Sequence, residues 1–296
     1  MWIDKHLFAT CSSGLCNRLM VLAGSIRIAQ RTGRKLALYW PVNHDLGCHF
    51  DELFANTFPM VTEDAFASIL DTTVTVKIYN AWRTQGPMFT RISANGDPDA
   101  NLVIIKGWSY PMFENEGFNR DLDAEIRRRL LSFTPRPEIQ SEVDSFPLPP
   151  ATIGVHVRRG DHVDEFGESK DEYFMAVMSG ILDRRPDVKF FLATDVARTE
   201  HQFRAAFGDT LLTAPKTWIG RHEPRGAREG LVDLLLLSRT AAILGNIHSS
   251  FSQAAGCIGN KLMIVADAGS AITHLDRTCD GLCACLPCDA AIPVSP

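Results

Sequence analysis

The stretch Ile153-Gly-Val-His-Val-Arg-Arg-Gly-Asp161 runs from apolar to charged within a few residues. Ile153 to Val157 reads as a strand buried on both faces, as in a parallel sheet. It breaks directly into Arg158, Arg159, Gly160 and Asp161, and open α/β sheets bind their ligands at the carboxyl ends of strands. Two guanidiniums beside a glycine turn suit a planar, bidentate grip on phosphate oxygens, with His156 on the strand behind them. On this segment alone the alternative is a solvated basic strand end, with an arginine paired to Asp161.

Three more loops carry polar groups to the same kind of position. Ala193-Thr-Asp195 ends a strand, and its carboxylate can accept hydrogen bonds from a base or ribose, or cap the next helix. Gly245-Asn-Ile-His248-Ser-Ser-Phe-Ser252 leads into a helix. Hydroxyls of Ser249 and Ser250 at a helix amino terminus can bind phosphate together with backbone N–H groups; Ser249 acting only as an N-cap is the plainer alternative. Arg221-His-Glu-Pro-Arg225-Gly-Ala-Arg228 is basic and broken by Gly and Pro, which suits a mobile loop or a solvated surface loop.

The elements that must position these loops alternate cleanly in the second half. Strands are expected at 153–157, 189–193, 210–213, 241–244 and 262–266, and helices at 171–184, 197–207, 229–238 and 249–259. That alternation implies a parallel, doubly wound sheet. In the first half, Leu7 to Thr10 and Lys35 to Trp40 read as strands around a helix from Asn17 to Arg31, which Gly33 ends. Only Gly14 sits in the first loop, so a dinucleotide fingerprint is absent. From Asp45 onward the pattern is less regular, with a short helix at 51–54, strands at 73–79 and 102–106, and a helix at 121–131. Trp82, Trp108 and Tyr110 lie in this region and can stack on a sugar or pack a core. Prolines between Thr134 and Pro150 mark a break. The expected organisation is a first Rossmann-like unit over 1–134, a proline-rich linker at 135–150, a second such unit at 151–270 and a cysteine-rich tail at 271–296.

Composition excludes several classes. Of 296 residues, 45% are hydrophobic and 22% charged, as in ordinary globular proteins. A net charge of −5 disfavours a nucleic-acid surface, so a phosphate site here is a local basic pocket. The first residues lack the pattern of a signal peptide and no apolar run is long enough for a membrane span, so the chain reads as cytoplasmic. The eight cysteines do not form a small disulfide scaffold. Cys279, Cys283, Cys285 and Cys288 crowd the tail, but their spacing matches no standard zinc framework and no histidine lies among them; an ordinary tail with reduced or partly oxidised thiols is expected ahead of metal binding.

Taken together, His156-Val-Arg158-Arg159-Gly-Asp161, Ala193-Thr-Asp195 and Val232-Asp233-Leu-Leu-Leu-Leu-Ser238 leading to His248-Ser-Ser-Phe-Ser252 resemble the donor-site blocks of GDP-fucose-dependent fucosyltransferases. The α1,6 group, with the core and nodulation enzymes, is the most similar, and the α1,2 group is similar too. Gly14-Leu-Cys-Asn17-Arg18-Leu and Gly47-Cys-His-Phe-Asp-Glu-Leu-Phe54 resemble amino-terminal elements of these enzymes. The resemblance implies an α/β, GT-B-like fold with two Rossmann-like domains and a cleft between them. It also implies inverting transfer from GDP-fucose to a glycan acceptor, with no metal and no cofactor. By the same resemblance Arg158 grips the diphosphate, His156 helps to form the site, and Asp195 contacts the nucleoside. Ser249, Ser250 and Phe251 line the phosphate and fucose region, and Asn17, Arg18 and Arg159 join the donor side.

The general base is less legible. The position that is acidic in core α1,6 enzymes holds Phe166 here, which leaves Glu165 as first candidate and Asp161 and Glu168 behind it. Asp161 can instead hold an arginine in place. Transfer of another nucleotide sugar, or nucleotide-sugar binding without catalysis, are the alternative functions. The acceptor and the linkage formed are not legible.

Overall fold

The computed structural model describes residues 5–70, 76–80, 89–160 and 168–287. Alternating apolar strands and helices give two α/β units. By contacts these are Met1–Gln140 with Ile219–Leu231, and Ser141–Trp218 with Val232–Pro296.

The first unit contains β1 (His6–Thr10), α1 (Leu15–Thr32), β2 (Lys35–Tyr39), α2 (Phe50–Leu53), α3 (Glu63–Leu70), β3 (Val76–Asn80), β4 (Phe89–Ile92), β5 (Leu102–Lys106), β6 (Tyr110–Phe113) and α4 (Arg120–Leu131). Strands β2-β1-β5-β3 form a parallel sheet in that order, with Phe8 beside Ala37 on one side and Ile104 on the other. Strands β4 and β6 pair separately. Helix α1 buries Leu19, Leu22, Ala23 and Ile28 and ends at Gly33, whose φ of 64° is the left-handed conformation that glycine adopts without a Cβ penalty.

Next come α5 (Pro137–Ser145), β7 (Thr152–Val157), α6 (Asp171–Arg184), β8 (Lys189–Thr194), α7 (Ala197–Phe207), β9 (Leu211–Leu212), α8 (Pro224–Arg239), β10 (Ala242–Gly245), α9 (Ser250–Gly259), β11 (Met263–Val265) and α10 (Leu275–Cys283). The second sheet runs β11-β10-β7-β8-β9, all parallel. Its central strand β7 is buried along its whole length, which is why that stretch of sequence is apolar without alternation. Ile153, Val155, Phe174, Ile181, Phe190, Leu192 and Phe203 form the centre of this core.

Three segments take a more definite form in the structure. Within the proline-rich stretch 135–150, α5 occupies Pro137–Ser145, and the division between units falls inside it, after Gln140. Pro137 stands at the first helical position, where its missing N–H costs nothing, so it starts a helix. In the cysteine-rich tail from 271, Cys279, Leu282 and Leu286 sit in the second core. The basic stretch from Arg221 to Arg228 is anchored to the first unit. Arg221 accepts the Gly47 N–H through its carbonyl at 2.8 Å and pairs with Asp45 at 2.7 Å. Among the described residues no helix is long and apolar enough to cross a membrane, and no group of three or more His, Cys, Asp or Glu side chains could hold a metal ion. Cys288 and Trp82 lie outside the described residues.

Candidate active site

Strand β7 delivers His156 and Arg158 to the carboxyl edge of the second sheet. The Arg158 N–H donates to Asn246 Oδ1 at 2.7 Å, which ties the end of β7 to the residue following β10. Its guanidinium pairs with Asp195, the residue following β8. Asp195 also accepts the backbone N–H groups of Arg159 at 2.8 Å and Gly160 at 2.9 Å. Ends of three adjacent strands are thereby laced together by side chains.

Asp195 does not cap the following helix; that position belongs to Val196, which makes no side-chain cap. Its carboxylate shapes the Arg158-Arg159-Gly160 loop, a use that residue type alone does not reveal. Arg159 is also engaged within the chain. It donates to Asp171 Oδ1 through Nε at 2.9 Å and through its terminal nitrogen at 2.5 Å, and to the carbonyls of Arg158 and Ser169, both at 2.7 Å. Ser169 is fully buried and accepts the Ile247 N–H at 3.1 Å, which joins the loop before α6 to the loop before α9. Glu168 is exposed at the start of that connection. Asp161, Glu165 and Phe166 lie outside the described residues.

Helix α9 opens at the same edge. Ser249 is its N-cap, as expected, and accepts the Ser252 N–H at 3.5 Å. The residue before it, His248, has a φ of 53°, which is uncommon for a residue other than glycine. Ser252 is fully buried, with its hydroxyl 2.7 Å from His156 Nδ1; Ser249 Oγ lies 3.4 Å from the same nitrogen. Phe251 stacks on the imidazole at 4.7 Å between ring centroids. Ser250 is half-buried in the first turn. Burial pushes the His156 pKa down to about 3, and Arg158, Lys216 and Arg159 push the same way against Asp195. The imidazole is therefore neutral at physiological pH and anchors the helix rather than carrying charge.

Thr194 Oγ1 and Asn246 Nδ2, both buried at this edge, have no hydrogen-bond partner among the described residues. The Asn246 orientation is set by its Oδ1 accepting from Arg158, so the amide N–H groups are left over. Unpaired buried donors are costly and are characteristic of places where a ligand or water completes the pairing.

Sequence reasoning gave no role to Asp233 on α8 and did not mention Lys216 in the loop after β9. They form a pair at 2.9 Å with side chains only 6% and 7% exposed. An acid inside the apolar run Leu231 to Leu237 is the signal for a buried carboxylate that needs a cation. The lysine is identifiable only in three dimensions.

Asn17 and Arg18 belong to the first unit, in the first turn of α1. Asn17 is half-buried. Arg18 is 1% exposed and donates to the carbonyls of Ser13 and Pro41, both at 2.6 Å, and to Asn43 Oδ1 at 2.9 Å. Its guanidinium lies 5.1 Å from the centre of the Trp40 ring. Arg18 therefore clamps the loops at the carboxyl ends of β1 and β2. Tyr110 is buried, which makes it a core residue, and Trp108 packs against the core of the first unit.

No family model matches the chain. Nodulation protein Z of Bradyrhizobium diazoefficiens is 25% identical over 81% of this chain and 75% of its own length. Nodulation protein Z of Sinorhizobium fredii is 27% identical over 73% of this chain and 76% of its own. A crystal structure of NodZ α1,6-fucosyltransferase soaked with GDP-fucose matches with a TM-score of 0.57 at 20% identity, covering 86% of this chain and 92% of that one. The fold is thus the GT-B-like α/β fold of fucosyltransferase structures. The chain is thus similar in sequence to nodulation protein Z and in fold to the NodZ α1,6-fucosyltransferase structure.

Proposed function

We propose that the protein is an inverting glycosyltransferase that moves fucose from GDP-fucose to a hydroxyl of a glycan or glycoconjugate. The observation that carries this reading is the 2.7 Å contact between His156 and Ser252, which joins the Arg158 loop to the amino terminus of α9. A guanidinium and a set of helical N–H groups then face one sheet edge, a combination suited to a diphosphate. The NodZ α1,6-fucosyltransferase soaked with GDP-fucose supports the choice of donor and reaction.

In this mechanism Arg158 and the first turn of α9 offset the charge that builds on the diphosphate as the bond to the anomeric carbon breaks. Ser249, Ser250 and Phe251 line the phosphate and fucose region, and Asp195 is kept as a residue near the nucleoside as well as the shaper of the loop. Arg159, tied to Asp171 and Ser169, holds the loop that aims Arg158. Asn17 and Arg18 are donor residues by the resemblance alone, and within the first unit Arg18 holds the Ser13, Pro41 and Asn43 loops. The acceptor hydroxyl attacks from the face opposite the leaving diphosphate and passes its proton to a carboxylate among residues 161–168, with Glu165 ahead of Asp161 and Glu168. The new bond has inverted configuration and GDP departs. Basic side chains and a helix terminus perform the stabilisation, so the reaction proceeds in EDTA.

The test is a donor panel of GDP-fucose and other GDP- and UDP-sugars with oligosaccharide acceptors, in EDTA. Release of GDP is followed, and the anomeric configuration of the product is read by NMR. Consumption of GDP-fucose with inversion is the expected result. Turnover confined to another donor would replace the sugar, and GDP binding without turnover of any acceptor, water included, would favour a binding protein. Phe166, at the position that is acidic in core α1,6 enzymes, motivates that last alternative.

A further inference from the structure

Loop 213–218 leaves β9 at the same carboxyl edge as the Arg158 and Asp195 loops, because every strand of this sheet is parallel. It ends at Trp218, a large aromatic side chain that is 38% exposed. Its φ of 60° places it in the left-handed region, which is uncommon for a bulky residue and persists only where surrounding structure enforces it. The indole lies against Lys216. Its ammonium lies 5.4 Å from the centre of the indole and 2.9 Å from Asp233, and its side chain is only 7% exposed. The indole therefore meets a buried cation on one side while still exposing a substantial part of its surface. Strand β9 is separated from the His156 strand only by β8, so this group and His156 share the same sheet edge.

A cation against an aromatic ring draws electron density from it. That weakens the attraction of the exposed surface for sugar C–H groups and strengthens it for an electron-rich flat ring. We propose that Trp218 is the stacking platform for the purine base of the donor nucleotide, with Lys216 and Asp233 holding it in place. The proposal rests on the donor reading above and adds a base-binding residue to it. Stacking of a base on an aromatic side chain gives sequence-tolerant affinity in nucleic-acid proteins, and one nucleotide base needs the same flat surface.

The experiment compares parent, Trp218→Phe, Trp218→Leu and Trp218→Ala by calorimetry, with GDP and with inorganic pyrophosphate. Phe keeps an aromatic face; Leu keeps apolar cover over Lys216 without one. GDP affinity is expected to fall about tenfold in the Leu and Ala variants and to stay within about threefold of the parent in the Phe variant. Affinity for pyrophosphate, which has no base, should stay within about twofold throughout. GDP binding unchanged in the Leu and Ala variants overturns the stacking role and leaves the donor reading standing. Equal losses for GDP and pyrophosphate overturn it as well, because they mark a structural role. A parent protein that binds no GDP overturns the donor reading and the platform together.

Discussion

Removing the Ser252 hydroxyl tests whether His156 and α9 form one unit. In Ser252→Ala the imidazole keeps Ser249 Oγ at 3.4 Å as its nearest hydroxyl, in place of the present 2.7 Å contact. Both Ser252 and its surroundings are closed. Ser252 is 0% exposed, and a Cβ built on Gly245 would come within 2.7 Å of Ser252 Cβ, so the backbone has little room to relax. An unsatisfied buried polar group costs about 1–3 kcal/mol, and a lengthened contact to Ser249 recovers part of that, leaving about 1–2 kcal/mol. A chain with two units does not guarantee two-state unfolding, so hydrogen exchange of amides in β7 and the first turns of α9 is the better assay. Exchange at both places should accelerate by about 5- to 30-fold, given 1.4 kcal/mol per factor of ten. Ser250→Ala, at a half-buried position of the same turn, should change it by less than about twofold. Equal effects of the two variants, or acceleration at α9 without β7, would refute the coupling.

Other outcomes follow from the same geometry. The His156 pKa lies near 3 in the folded protein, against 6.5 for an unperturbed histidine, so the unfolded chain binds more protons between those values. Its contribution to stability is complete above about pH 6.5 and is lost as pH falls toward 3, and His156→Gln should flatten that arm of the stability–pH curve relative to the parent. Gly47→Ala would place its Cβ 1.7 Å from the His222 carbonyl oxygen, displacing the strap that Arg221 pins. Loss of its hydrogen bond and partly exposed ion pair, about 1–2 kcal/mol, should appear as faster tryptic cleavage after Arg221 and Arg225; an unchanged cleavage rate would count against the anchoring. Glu165→Gln should leave GDP affinity within about twofold while lowering turnover by about a hundredfold or more, and undiminished turnover would remove Glu165 as the base.

Much of the second unit is legible because each signal there is local. Helices α6 and α7 begin and end where the apolar period predicts, and the unbroken apolar run of β7 marks a strand covered on both faces. The positions of Arg158 and Ser249 follow, since strand ends and helix starts share the carboxyl edge of a parallel sheet. What depends on pairing across the chain is not legible. Nothing in the composition of 219–231 assigns it to the first unit; that depends on the Gly47 and Asp45 contacts. Proline has two meanings, and at Pro137 it opens α5 rather than marking irregular chain. Asp195 has the residue type of a cap, but three donors from the β7 loop reach it first. Lys216 carries no motif at all, and only Asp233 announces that a cation must lie nearby.

Calorimetric titration with GDP, UDP and ADP in EDTA, on the parent and on Arg158→Lys, tests the central claim most directly. Lysine keeps the charge but not the planar fork, and a charge-assisted hydrogen bond contributes about 1.5–3 kcal/mol. With the Arg158 side chain only 16% exposed, screening removes little of this, so the variant should bind GDP about 10- to 100-fold more weakly. Selective, metal-independent binding of GDP by the parent with that loss in the variant is the predicted result. Equal binding of the three nucleotides, no binding at all, or a variant that matches the parent would contradict the account.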